Sequence, residues 1–250
     1  MECLHLNFDG AEKKPTLVFL HEGLGCIELW RDFPENLCTT MKLNGFVFSR
    51  QGYGASDPVP LPRPMDFMHQ EAMNVLSPVL TEAKINSAIL IGHSDGGSIA
   101  LIHSGKIKDP RVKAITTIGA HVFNEELTIK SIREAKIAFE TTDLPTRLAK
   151  YHGDNTDCAF WGWNDIWLQP KFLDWNIEEF LPHIDIPTLV IQGSNDQYGS
   201  EVQIKAIETG LKCATKTAVI PDAQHSPHLE QQNFTIDVIK TFINHHLSLE

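Results

Sequence analysis

A chain of 250 residues with 42% hydrophobic and 21% charged residues can bury a core of its own, which excludes wholesale disorder. Its 21 basic and 32 acidic side chains leave a formal net charge of −11, which makes nucleic acid and anionic membranes poor partners. Five cysteines, at positions 3, 26, 38, 158 and 213, are odd in number and form no C-x-x-C pair, the usage of a reducing compartment.

The first residues, Met1 to Lys14, lack the basic-then-apolar pattern of a signal peptide, since Asp9 and Glu12 interrupt them early. No stretch of about 18 apolar residues follows that could span a membrane. The expectation is a soluble, cytoplasmic protein whose partner is a small-molecule substrate; its oligomeric state is not legible. Met1–Asp9 has room for one short strand. Short β-branched runs then mark strands at Thr16–Leu20, Phe46–Ser49, Ala88–Ile91, Val112–Ile118, Pro187–Ile191 and Thr215–Ile220. Helical patterns fall near Met68–Ala83, Gly96–Lys106, Glu201–Gly210 and Leu229–Leu247. This alternation predicts an α/β fold, a mostly parallel central sheet flanked by helices. The proline-rich Asp57–Pro64 must be extended loop.

The alternation breaks once, from Phe123 to Pro182, where helical patterning runs without a convincing strand. A structureless loop of that length is improbable in a compact domain. The segment is therefore predicted to be a helical cap, residues 123–182, inserted into a core formed by 1–122 and 183–250. Four of the five tryptophans lie in it. Phe160, Trp163 and Trp167 share one helical face, which is expected to pack on the core, to wall an apolar substrate pocket, or both.

Gly92-His93-Ser94-Asp95-Gly96 is a G-x-S-x-G set directly after a predicted strand and before a predicted helix. That context projects a serine Oγ from a tight turn and leaves the following amides at a helix N-terminus. A serine needs a base and an orienting carboxylate. Asp196 follows the strand Pro187–Ile191, and His225 follows Thr215–Ile220, so the order is Ser…Asp…His. Asp222 and His228 are alternatives, His228 being expected to begin the last helix behind Pro227. After Thr16–Leu20, His21-Glu22-Gly23-Leu24-Gly25 is suited to supply an oxyanion donor: Gly23 first, Leu24 second, together with Asp95. His21 is expected to brace this loop, and Glu22 has no evident role. Because position 25 is glycine, no H-E-x-x-H zinc motif exists, and His245-His246 reads as a helix tail, so no metal is predicted.

FLHEGLG (19–25), SRQGYGASD (49–57), GHSDGG (92–97), GSND (193–196) and AQHSPHLE (223–230) together resemble the α/β-hydrolase superfamily, in its serine-nucleophile, cap-containing branch. The resemblance implies Ser94 as nucleophile, His225 as base, Asp196 as its orienter, and the amides of Gly23 and Asp95 as the oxyanion hole. It implies a hydrolase that forms an acyl-enzyme from a small ester, thioester or amide, with no cofactor. Carboxylesterase-like activity is the first expectation. The alternatives are carbon–carbon hydrolysis of a diketone-type aromatic breakdown product and a non-catalytic binding role. Glu22 stands where the family usually has glycine after the histidine. The Asp95 carboxylate either caps the start of the helix or is solvated there, where negative charge is favoured, or it faces the pocket and attracts a cation.

Overall fold

The computed structural model describes residues 1–248; Leu249 and Glu250, included in the predicted core segment 183–250, lie outside the described residues. In chain order the elements are β1 (Cys3–Leu6), β2 (Thr16–Leu20), α1 (Phe33–Met41), β3 (Gly45–Phe48), α2 (Phe67–Gln70) and α3 (Leu76–Glu82). They continue with β4 (Ala88–His93), α4 (Asp95–Lys106), β5 (Val112–Ile118), α5 (Glu126–Thr141), α6 (Leu144–His152) and α7 (Thr156–Trp167). β6 (Thr188–Gly193), α8 (Glu201–Gly210), β7 (Thr215–Ile220), α9 (Pro227–Glu230) and α10 (Gln232–His246) complete the chain. The strands form one sheet in the order β1-β3-β2-β4-β5-β6-β7, with only β1 antiparallel to its neighbour. β2, β4 and β6 are almost wholly buried, as strands covered on both faces must be. Among the described residues no helix is long and apolar enough to cross a membrane.

Alternate side chains of the inner strands β2, β4 and β6 feed two cores, one containing Val18, Leu90 and Val190, the other Leu17, Ile89 and Leu189. The sequence reading omitted α1, although Phe33, Leu37 and Met41 recur at four-residue spacing and bury one face. It drew one helix from Met68 to Ala83, but the turn Glu71–Val75 widens to a π-helix between α2 and α3, where the His103 ring donates to the Ala72 carbonyl at 2.6 Å. The final predicted helix is likewise split at Gln231. The Glu230 carboxylate accepts from the amides of Gln224 and Ser226, tying α9 to the preceding loop.

Between β5 and β6 the chain is helical, apart from an isolated antiparallel bridge, Phe123 to Asn176, at the root of the segment. Asn164 donates to the Ile132 carbonyl at 2.9 Å and fastens α7 to α5. The last turn, Glu178–His183, lies against α4; a side chain on Gly105 would meet the Phe180 carbonyl. The predicted division at 182/183 therefore falls within this turn.

Several histidines are buried without a carboxylate beside them. His121 is 2% exposed and donates from Nε2 to the Tyr198 carbonyl at 3.0 Å. Burial, reinforced by His225, pushes its pKa down to about 4. In the unfolded chain it would titrate near 6.5, so between about 6.5 and 4 the unfolded state holds more protons and stability must fall as pH falls. The full window is worth on the order of 3 kcal/mol. His121→Gln, which keeps a donor for the Tyr198 carbonyl, should flatten this part of a urea-midpoint series between pH 7.5 and 4.5. The comparison isolates His121 from Asp95 and Glu71, which burial pushes up and whose effect runs the opposite way. An unchanged slope in the variant would show that His121 is not held neutral.

Candidate active site

β4 ends at His93 and α4 begins at Asp95, so the whole reversal is made at Ser94, with φ 51° and ψ −119°. A side chain rarely tolerates such a backbone, at a cost of about 1–3 kcal/mol. The turn closes because its neighbours are glycines. A Cβ on Gly92 would stand 2.4 Å from the Gly96 carbonyl oxygen, and one on Gly96 would stand 2.0 Å from that of Leu20. The Ser94 amide donates to Ile118 at 2.8 Å, which locks the turn to β5.

β6 delivers Asp196 and β7 delivers His225 to the same end of the sheet. His225 Nδ1 lies 2.9 and 3.0 Å from the two Asp196 carboxylate oxygens. The Asp196 side chain is 1% exposed and also accepts from the amides of Tyr198 at 2.8 Å and Gly199 at 3.1 Å. Burial alone would raise its pKa; the His225 ring beside it and these donors outweigh that and hold it below the usual carboxylate range. An ionised carboxylate only accepts, so the proton sits on Nδ1 and Nε2 carries the lone pair. Gly119, at the end of β5, makes room for this ring: a Cβ there would lie 3.0 Å from His225 Nδ1. The sequence reading missed Gly119, although a glycine closing a strand was the available signal.

Ser94 and His225 border one cavity of about 210 Å³, and among the described residues no hydrogen bond joins them directly. Glu22, Gly23, Leu24 and Asp95 border it as well. Gly23 has no room for a side chain, since a Cβ would stand 2.1 Å from Trp163 Cδ1. The loop is held from behind. His21 Nδ1 donates to the Glu22 carbonyl at 2.7 Å, and the Arg50 amide donates to His21 Nε2 at 3.0 Å. The Arg50 guanidinium adds bonds to the carbonyls of His21 at 3.3 Å and Glu22 at 2.9 Å. His21 thus braces the loop, as anticipated, and Arg50 is a second brace that the sequence reading passed over.

Trp163 and Trp167 border the cavity, joined by His93, His121, Thr128, Ile132 and Tyr198, none of which the sequence reading had placed there. Phe160 does not border it. Its ring stacks on Phe139 with centroids 3.7 Å apart, because one helical turn carries it from the cavity into the packing of α7 on α5. His228 follows Pro227 in the short α9 and does not begin the last helix, α10; it is 1% exposed against Trp30 and Phe33, and burial keeps it neutral. Asp222 has left-handed φ, 56°, and its amide donates to Ser194 Oγ.

Asp95 departs from the reading that placed its carboxylate at the helix start as a cap. The side chain makes no capping bond, is 1% exposed, and neither oxygen has a hydrogen-bond partner. Burial raises its pKa against the pull of Arg50, of the neighbouring Trp167 indole, and of Arg63. Glu22, which had no evident role, places a carboxylate oxygen 3.3 Å from His93 Nδ1.

Comparison with known proteins agrees with this architecture. A 104-residue stretch, 42% of the chain, is 36% identical to 2-succinyl-6-hydroxy-2,4-cyclohexadiene-1-carboxylate synthase of Photorhabdus laumondii, and spans 34% of that protein's length. A longer alignment, 94% of the chain and 80% of the relative, is 23% identical to the sn-1-specific diacylglycerol lipase ABHD11 of Danio rerio. The crystal structure of a proline iminopeptidase from Mycobacterium smegmatis superposes with a TM-score of 0.74 at 16% identity, covering 98% of this chain and 94% of the other, a likeness of fold. The sequence model of the alpha/beta hydrolase family matches residues 17–238, from β2 into α10, and the chain belongs to that family.

Proposed function

We propose that this protein is a serine hydrolase that cleaves a small ester, thioester or amide through an acyl-enzyme on Ser94. The observation that carries the reading is the convergence of three strand ends. A strained serine turn, a histidine whose Nδ1 is held by a buried carboxylate, and a glycine loop border one cavity. In this reading His225 Nε2 takes the Ser94 proton as Oγ attacks the carbonyl, and then returns it to the leaving group. Asp196 holds the ring tautomer and stabilises the imidazolium. The amides of Gly23 and Asp95 receive the oxyanion. The Ser94 amide is already engaged with Ile118, which leaves Asp95 as the elbow donor. Water activated by His225 clears the acyl group. The helical segment 123–182 acts as a cap through Trp163 and Trp167, and a cavity of about 210 Å³ suits a small substrate.

Ser94→Ala should abolish turnover of activated esters and labelling by a fluorophosphonate probe while leaving the urea midpoint near that of wild type. Retention of more than about a tenth of the wild-type rate would remove Ser94 from the mechanism. Asp196→Asn should lower kcat by about 10⁴-fold, as loss of tautomer control does in other triads. A β-diketone substrate belongs in the same panel: turnover far faster than that of any ester would move the reading to carbon–carbon hydrolysis.

Trp163→Ala should shift preference among acyl chains more than it shifts the acetate rate, because wall area contributes about 25 cal/mol per Å² only where substrate covers it. Equal losses on acetate and longer esters, with a lower melting temperature, would make Trp163 a packing residue. For Asp95, the buried and unpaired carboxyl predicts that Asp95→Asn penalises an amino-acid ester more than the matched plain acyl ester in kcat/KM. An equal change on both would show that the carboxyl reads no cation.

A further inference from the structure

His93 and Glu22 are two buried or half-buried groups to which acyl transfer assigns no task. His93 closes β4, immediately before Ser94, and is 2% exposed. Its Nε2 lies 2.9 Å from the carbonyl oxygen of His225, and its Nδ1 lies 3.3 Å from Glu22 Oε2. A carbonyl only accepts, so Nε2 must carry a proton. The Glu22 carboxylate also only accepts, and a bare Nδ1 lone pair facing it would be repelled. Both contacts are satisfied together when both ring nitrogens are protonated and the carboxylate supplies the opposite charge.

The surroundings agree. The titratable groups around the His93 ring are Glu22, His225, at 5.1 Å between ring centroids, and His228, at 4.5 Å. Trp30 covers another side. Of His93 and His228, only His93 lies against the Glu22 carboxylate, while burial pushes the His228 pKa well below the ordinary histidine value. Burial by itself would raise the Glu22 pKa; its contact with His93 more than reverses that and holds it well below the ordinary range. The chain also makes room for the carboxylate, since a Cβ on Gly25 would stand 2.3 Å from Glu22 Oε2.

We propose that the His93–Glu22 ion pair is a positioning device that ties three loops together: the elbow at Ser94, the loop carrying Gly23, and the loop carrying His225. One imidazolium grips the backbone of the proposed base residue on one side. On the other it grips the residue preceding the proposed oxyanion donor. The assignment rests on the acyl-transfer reading for its catalytic meaning, whereas the ion pair itself can be measured without turnover. A lost tie lets the base and donor drift relative to Ser94, which slows chemistry and leaves ground-state binding largely intact.

The test uses the full chain, the wild type with Glu22→Ala and Glu22→Gln. In ¹⁵N-labelled protein at pH 7.5, the wild-type His93 ring should show both nitrogens protonated. Glu22→Gln should show the neutral ring with its proton on Nε2, because a glutamine amide can donate to Nδ1. With an activated ester, Glu22→Ala should lower kcat about tenfold to a hundredfold with KM changed less than threefold. Glu22→Gln, which restores a bond to Nδ1, should recover most of that loss. A singly protonated His93 in the wild type, or wild-type kcat in Glu22→Ala, overturns the proposal. Should Glu22→Ala fail to fold, the ring state of the wild type against Glu22→Gln still decides. Wild-type protein whose Ser94 resists the fluorophosphonate overturns the acyl-transfer reading instead, and the ring measurement then judges the ion pair alone.

Discussion

The close approach of α4 to the ends of β2 and β4 is the constraint on which the site depends. Gly92 and Gly96 leave no volume between the elbow backbone and the Leu20 and Gly96 carbonyls. Ser94 is driven to a positive φ, and its amide is drawn onto β5. A helix that began one turn later would relax the serine and move the Asp95 amide from the cavity. Strain of about 1–3 kcal/mol at one residue persists because strand pairing on both sides of β4 over-determines the turn.

Around that fixed point, polar groups are arranged so that each charge has a definite owner. Asp196 stays ionised beside His225, Glu22 stays ionised beside His93, and His121 and His228 remain neutral because burial offers them no carboxylate. Behind the glycine loop, His21 and Arg50 take up the carbonyls of residues 21 and 22 and hold it in place. The proposed acyl transfer would draw on such preorganisation, since donors that must reorganise lose most of their effect on a developing oxyanion.

The aromatic helix α7 divides its labour along its length. Phe160 is committed to Phe139, whereas Trp163 closes over Gly23 and Trp167 borders the cavity. Packing of the helical segment and shaping of the cavity therefore fall mainly to different rings of one helix.

From sequence alone, the alternation of β-branched runs and helical patterns was enough for the sheet, because strands buried on both faces must be apolar throughout. The meeting of Ser94, Asp196 and His225 at one end of the sheet was legible because each follows a strand, and parallel strands bring their carboxyl ends to one edge. The π-turn at Glu71–Val75, the break at Gln231 and the inward path of Phe160 were not legible. Each is set by a distant partner: His103, the loop at Gln224–Ser226, and Phe139. The same holds for the meeting of Glu22 with His93 and for the burial of the Asp95 carboxyl. Local spacing determines which residues share a strand end or a helical face. Only the packed fold decides which polar atoms lose water, and that loss makes a neighbouring charge matter.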